Sequence, residues 1–107
     1  MEFKKLQKKI IKNALDYGRK YKVKIDEDFA FLKLYEEVGE LTQDFLIYKR
    51  KCRPEKYLSE KRAKEELAKE LADVLGLIVL NAYLLNIDLE EAIDNKWINK
   101  KWISQKI

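Results

Sequence analysis

The amino-acid sequence predicts an all-α fold, in which residues 1–107 form one four-helix bundle. Glycine occurs three times and proline once, whereas a β-sandwich or barrel needs a turn signal about every 8–12 residues. Hydrophobic residues make up 47% of the chain and charged residues 39%, a mixture typical of amphipathic helices. A chain of 107 residues has room for one hydrophobic core, so we expect a single domain.

Two helices are predicted in the first half of the chain by apolar residues that recur every three or four positions. The first covers about residues 3–21. The second begins at the acidic segment 26–28, because a helix N-terminus favours negative charge, and it ends near Lys51. Its apolar residues form one continuous seam, which is the pattern of a bundle helix: Leu34, Val38, Leu41, Phe45 and Tyr48.

The third helix is predicted to start within residues 57–59 and to end near Leu85. It follows a break at Pro54, because proline disfavours a helical conformation in the residue before it. Residues 74–85 are apolar on nearly every side of this helix, so they need neighbours all round it. We expect a partner subunit to supply part of this cover, in a homodimer or homotetramer.

A fourth helix is predicted near the C-terminus by Asp88 and Glu91, which have the spacing of a capping box. Its apolar stripe consists of Ala92, Ile93, Trp97 and Ile103. Upstream of it, the longest uncharged run has 14 residues, 74–87. A bilayer-spanning helix needs about 20, so no membrane anchor is expected.

The absence of histidine and the single cysteine exclude several kinds of site. Without histidine there is no imidazole base, no Ser–His or Cys–His pair and no imidazole metal ligand. Cys52 alone forms neither an internal disulfide nor a multi-cysteine zinc site, and it fits a reducing, cytoplasmic location. Chemistry is therefore expected from carboxylates, lysines and a metal that they hold.

The net charge of +4 is a weak indication of nucleic-acid binding, because 19 acidic residues lie among 23 basic ones. We therefore expect no nucleic-acid partner. Basic residues concentrate in the turn 49–56. They have two interpretations, attraction of a triphosphate or complementation of a helix dipole, and we favour the second.

Two pairs of acids are the most informative feature: Glu37 with Glu40, and Glu70 with Asp73. Each pair is spaced i, i+3, so both side chains project from one side of a helix, one turn apart. Both pairs border apolar seams, where lost solvation and mutual repulsion call for a compensating cation. Chance also produces such pairs in a highly charged chain. The shared format on two long helices favours a metal site, and all-oxygen ligation selects Mg²⁺ or Mn²⁺.

These motifs resemble those of the MazG-like all-α nucleoside triphosphate pyrophosphohydrolases. The family signature, E-x-x-E on one helix and E-x-x-D on the next, is matched by EEVGEL and ELADVLGLIV, and DLEEAIDNK follows near the C-terminus. A K-x-x-N element of the family's fourth helix is matched by Lys96 and Asn99. The resemblance covers roughly residues 30–105.

The resemblance implies a set of functional residues and a reaction. The metal ligands for Mg²⁺ would be Glu37, Glu40, Glu70 and Asp73. Glu36 would orient the attacking water, and Lys96 and Asn99 would bind substrate, although all three also fit an exposed helix face. The substrate would be a nucleoside triphosphate, cleaved to the monophosphate and pyrophosphate.

Two alternative functions stay open at this point, and the role of two tryptophans is open as well. Phosphoribosyl-ATP pyrophosphohydrolase shares the bundle and a similar acid pattern. A non-catalytic helical adaptor or regulator would carry the acids as surface charge only. Trp97 and Trp102 have two interpretations, stacking on a base or packing in the core, of which we favour the second. The sequence leaves the base and the sugar of the substrate undecided.

Overall fold

A computed structural model describes residues 1–99, and over this range it confirms an all-α helical bundle. The four helices are α1 (Phe3–Tyr21), α2 (Glu27–Tyr48), α3 (Glu60–Leu84) and α4 (Leu89–Ile93). A 3₁₀ turn, Pro54–Lys56, separates α2 from α3, and a π-helical turn, Asp94–Ile98, follows α4. No strand occurs within residues 1–99. The predictions for Trp102 and Ile103 lie outside the described residues.

The N-termini of α2, α3 and α4 are each capped by a side chain that accepts a backbone N–H three residues later. The capping residues are Asp26, Ser59 and Asp88, with donor–acceptor distances of 2.9, 3.2 and 3.0 Å. These bonds satisfy amide groups that have no partner inside the helix. The predicted start of the fourth helix at Asp88 is therefore confirmed.

The C-terminus of α2 differs from the sequence prediction, because the helix ends at Tyr48 and not near Lys51. Arg50 adopts a left-handed conformation with φ 55°. This lets the Lys51 N–H donate to the Leu46 carbonyl at 2.8 Å and the Arg50 N–H donate to the Ile47 carbonyl at 3.0 Å. The two bonds form a Schellman motif. It satisfies the last carbonyls and turns the chain out of the helix.

An antiparallel hairpin of α2 and α3 forms the centre of the molecule, and α1 packs against α3. Asn81 of α3 joins the two helices of the hairpin: its amide donates to the Ala30 carbonyl at 2.9 Å and to the Leu77 carbonyl at 2.8 Å. The buried apolar residues belong to these two helices, and all of them except Ala63, near the start of α3, lie at or beside this bond. They are Ala30, Ala63, Val79, Leu80 and Ala82.

The end of α1 returns closely upon itself at Gly18. Lys22 takes a left-handed conformation, φ 56°, and the chain that follows brings Ile25 against Gly18. A Cβ on Gly18 would overlap the Ile25 side chain and lie 2.9 Å from the Val23 carbonyl oxygen. Only glycine fits this approach.

The apolar seam predicted for α2 is only partly buried, so the prediction is wrong for Val38 and Phe45. Leu34 and Leu41 are half-buried, but Val38 and Phe45 remain 44% and 51% exposed. Each residue advances about 100° around a helix. Val38 and Phe45 directly follow Glu37 and Asp44, so they are turned about 100° away from those half-buried acids.

Exposed apolar residues of α2 and α3 share one side of the hairpin, which we call the outer face. It consists of Phe31, Tyr35, Val38 and Phe45 from α2 and Leu71, Leu75 and Ile78 from α3. The sequence pattern of α3 predicts that Leu71 and Ile78 lie on a core-facing stripe beside Glu70, and this prediction is wrong because both are exposed. The radius of gyration is 17.0 Å, whereas a compact chain of about 100 residues has about 13 Å. The chain leaves this face uncovered by its own described residues.

The segment after α3 turns sharply and returns to the start of α1. Lys4 of α1 forms ion pairs with Asp88 and Glu90, at 3.0 and 3.7 Å. Within residues 1–99, no single helix combines the length and apolar character needed to cross a membrane. By length and composition alone, the pair Glu60–Leu84 and Leu89–Ile98, bent by 114°, passes that test together.

Candidate metal centre

The hairpin brings acids of α2 and α3 to one place. Glu37 of α2, with Glu70 and Asp73 of α3, offers three carboxylate oxygens that all lie within 4.8 Å of one another. Within α2, Glu36, Glu37 and Glu40 form a second group that meets the same limit. Glu37 belongs to both groups. The four acids that the sequence singles out are therefore assembled around the side chain of Glu37.

The antiparallel packing explains why these acids meet. Glu37 lies seven residues, about two turns, after Ala30, and Asp73 lies eight residues before Asn81. Because Asn81 is hydrogen-bonded to Ala30, nearly equal steps along the two antiparallel helices lead from that bond to Glu37 and Asp73. The i, i+3 spacing of Glu70 and Asp73 then places both on the side of α3 near Glu37.

Two of the carboxylate oxygens are buried without a hydrogen-bond partner. They are Oε2 of Glu37 and Oε2 of Glu70. An ionised carboxylate that has lost water and found no partner is strongly disfavoured. Within the described residues, no lysine or arginine forms an ion pair with Glu37, Glu40, Glu70 or Asp73, since the ion pairs there all involve other acids.

The pKa values of the acids record this environment. Burial, reinforced by the neighbouring carboxyls of Glu40 and Glu70, raises the pKa of Glu37 to about 7. Burial also raises the pKa of Glu70, and the charges of Glu40 and Asp73 act in the same direction. Asp44, one turn beyond Glu40, has a pKa raised by burial as well. A divalent cation would reverse these shifts by stabilising the ionised forms.

A cavity of about 350 Å³ opens between α1, α2 and α3 beside the acids. Glu37 and Asp73 form part of its wall, and Lys33 of α2 lies next to them. Much of the remaining wall is apolar and includes Tyr17, Phe29, Leu77 and Leu80. Cavities that bind small molecules are of this size and combine apolar walls with a few polar groups.

Other residues singled out in the sequence do not line this cavity. Lys96 and Asn99 lie in and just after the turn Asp94–Ile98, where the Asn99 amide donates to the Asp94 carboxylate at 2.6 Å. Trp97 is 76% exposed, so the interpretation of it as a core residue is wrong for the described chain. In the basic turn, the Arg50 guanidinium lies 4.9 Å from the ring centre of Tyr57. The substrate role of Lys96 and Asn99 stays a prediction.

Lys33 is a residue of the cavity that the sequence interpretation missed. Its ammonium nitrogen lies 2.5 Å from Oε1 of Glu36. The available signal was its position one turn before Glu37, which places both side chains on the same side of α2. Glu36, predicted to orient a water molecule, is thus both a member of the acidic group and the partner of a cation.

Comparisons of the chain with protein-family models, with curated proteins and with solved structures give no match. The assignment to the MazG-like family therefore stays a prediction that depends on the motifs of this sequence. The geometry of the acids is an observation independent of that resemblance. It is the basis of the functional argument that follows.

Proposed function

We propose that the protein is a Mg²⁺-dependent nucleoside triphosphate pyrophosphohydrolase of the MazG-like type, with Mn²⁺ as a second usable ion. The observation that carries the proposal is the meeting of Glu37, Glu70 and Asp73 across two helices, with two buried oxygens that have no partner. Carboxylate oxygens without imidazole or thiolate suit a hard cation. Glu40 completes the ligand set from the α2 side.

The chemistry that such ions supply is well defined. When bound, they neutralise phosphate charge, polarise a phosphoryl oxygen and lower the pKa of a coordinated water. The four acids of this chain would hold the ions, and their position at the cavity wall would direct the triphosphate toward them. Glu36 belongs to the α2 group of acids and its side chain is 54% exposed, so it would orient the attacking water from beside the ions.

The cavity supports a nucleotide as the substrate. Its apolar wall, with Phe29 and Leu77, suits the flat faces of a base, while Asn13 of α1 adds an amide group. Glu37 and Asp73 line the same space. A triphosphate held by its phosphates at the acids would extend its nucleoside along the apolar wall. Cleavage there would yield a nucleoside monophosphate and pyrophosphate.

The proposed working form is a homodimer or homotetramer in the cytoplasm, assembled through the outer face. Seven large apolar side chains on that face are at least 36% exposed. A second copy of the chain presents the same face and thus offers matching apolar cover. Burying the two faces against each other would remove apolar surface from water, which is the main driving force of association.

A non-catalytic helical adaptor is the second candidate, and the exposed outer face is the observation that favours it. An adaptor would use this face for a different protein and would be indifferent to Mg²⁺. Phosphoribosyl-ATP pyrophosphohydrolase shares the proposed bond cleavage but differs in substrate. A substrate panel separates these alternatives.

The test is incubation of the purified protein with canonical and modified nucleoside triphosphates and with phosphoribosyl-ATP, with Mg²⁺ and with EDTA. We expect monophosphate and pyrophosphate from at least one triphosphate, in the Mg²⁺ samples only. Release of orthophosphate and a diphosphate would contradict the proposed bond. Turnover of phosphoribosyl-ATP alone would support the alternative enzyme. Absence of turnover, in a folded protein that binds another protein equally well with and without Mg²⁺, would support the adaptor.

A further inference from the structure

Lys33 of α2 is a charged residue in the wall of the cavity. It is the one lysine or arginine, among residues 1–99, in the wall of the cavity beside Glu37 and Asp73. Its side chain is 37% exposed, and that of its partner Glu36 is 54% exposed. The pair therefore lies at the edge of the cavity, within reach of solvent and of any molecule that enters.

Glu36 takes part in two contacts at the same time. In the first, its Oε1 accepts a hydrogen bond from the Lys33 ammonium at 2.5 Å. In the second, one of its oxygens joins Glu37 and Glu40 in a group whose oxygens all lie within 4.8 Å of one another. A divalent ion bound to that group would attract the Glu36 carboxylate and repel the Lys33 ammonium. The same local geometry thus links the ion to the lysine.

We propose that Lys33 is a substrate-binding residue that exchanges its Glu36 partner for a phosphate group of the nucleotide when the acids hold a divalent ion. This inference rests on the proposed function and assigns the phosphate contact to α2. Lysine binds phosphate as a compact point charge. Its position one turn before Glu37 would place that charge next to the ion-bound phosphates.

The exchange is energetically accessible. Ion pairs exposed to this extent contribute little stability, because water screens them and both side chains lose freedom. A hydrogen bond between an ammonium group and a phosphate oxygen is among the stronger ones in proteins. The hydrogen bond with Glu36 raises the pKa of Lys33 above its ordinary value. Lys33 is therefore charged at neutral pH while it is paired with Glu36.

The test measures two affinities by titration calorimetry, for Mg²⁺ alone and for inorganic tripolyphosphate in saturating Mg²⁺. Tripolyphosphate has no base, so the result does not depend on the preferred nucleotide. For Lys33→Met we expect tighter Mg²⁺ binding, because a competing cation has gone, and tripolyphosphate binding weaker by about tenfold, the effect of one charged hydrogen bond. Lys33→Arg should retain most of the tripolyphosphate affinity.

Lys64→Met is the matched control. Lys64 forms an exposed ion pair with Glu60 on α3, at 3.6 Å, and does not line the cavity. The control removes the same charge and should leave both affinities unchanged. Thermal unfolding of each variant establishes that the fold is intact.

Two results would overturn the inference. One is equal tripolyphosphate affinity in Lys33→Met and Lys64→Met, and the other is a loss of both affinities in Lys33→Met with an intact fold. If the wild-type protein releases pyrophosphate, either of these results would exclude the role of Lys33 and would not affect the proposed function. A wild-type protein without Mg²⁺-dependent turnover would instead remove the proposed function itself.

Discussion

The two sides of the α2–α3 hairpin carry opposite chemistry. On the side of α1, Lys33, Glu37 and Asp73 line a cavity, and two carboxylate oxygens are buried without partners. On the outer face, residues such as Tyr35 and Leu75 are apolar and exposed. Among residues 1–99, no lysine or arginine pairs with Glu37 or Asp73 on the first side, and no side chain covers the apolar surface of the second.

The position of a residue relative to the buried residues of the hairpin determines on which of the two sides it lies. Outer-face residues come one position after a buried or half-buried residue of the hairpin, as Leu71 follows Glu70 and Leu75 follows Val74. Several cavity residues come one position before such a residue, as Lys33 precedes Leu34 and Asp73 precedes Val74. A step of one residue turns the side chain by about 100°. This difference underlies our two proposals, a divalent cation for the cavity side and a second copy of the chain for the outer face.

The largest expected effect concerns the cavity side. Glu70→Gln removes a charged ligand but keeps the shape of the side chain, so we expect pyrophosphate release to fall by at least about 100-fold. Glu65→Gln, at an exposed position of the same helix, is the control and should retain full activity. Both variants are measured with Mg²⁺ at saturation. Unchanged activity in Glu70→Gln would show that the acids do not hold the catalytic ion.

The second prediction concerns the outer face. Leu75→Lys introduces a charge where a partner would bury an apolar side chain, so we expect dissociation to the 12.8 kDa chain with the helices retained. Sedimentation velocity measures this. Tyr21→Lys, at an exposed position at the end of α1, should leave the assembly intact. A wild-type protein that already sediments at 12.8 kDa would refute the interface.

The third prediction is a pH dependence set by Glu37. Its pKa is about 7 in the folded protein and about 4.3 in an unfolded chain, so between these values the folded state retains a proton that the unfolded state has lost. Stability without metal should therefore fall as the pH rises from about 4.5 to about 7. Saturating Mg²⁺ or Glu37→Gln should flatten this slope. Thermal unfolding over a pH series measures it, and a slope that persists in both cases would contradict the assignment.

The smallest expected effect is the change in stability when Gly39 or Gly18, which have different surroundings, is replaced by alanine. A Cβ at Gly39 of α2 meets no atom within 4 Å, so Gly39→Ala should stabilise the chain by about 0.5–1 kcal/mol through helix propensity. Gly18→Ala should destabilise it, because Ile25 and the Val23 carbonyl occupy that space. Urea unfolding measures both. A destabilising Gly39→Ala would indicate that a neighbouring chain packs against this position.

The sequence predicted those elements that depend on local chemistry. The bounds of α1, the break at Pro54 and the capping of α4 by Asp88 follow from periodicity, backbone restriction and side-chain hydrogen bonds, and each is confirmed. The end of α2 was placed too late, because the left-handed turn at Arg50 has no glycine to announce it. The i, i+3 spacing also predicts that Glu70 and Asp73 lie on one side of α3, and the packing of the hairpin then brings them to Glu37.

Features that depend on tertiary packing cannot be predicted from local sequence patterns. Periodicity identifies apolar positions but not which of them another helix covers, so the predicted seam of α2 includes Val38 and Phe45 although both are exposed. The cavity arises where α1 crosses the hairpin, and no local pattern describes it. Lys33 was overlooked for that reason, since its role depends on the space that it faces.

The central claim is that Glu37, Glu70 and Asp73 form a divalent-cation site between two helices. Crystals grown with Mn²⁺ and measured near the manganese absorption edge test it most directly. The account predicts an anomalous peak bonded to carboxylate oxygens from both α2 and α3. A map without a peak there, in crystals that hold Mn²⁺ elsewhere, would contradict it.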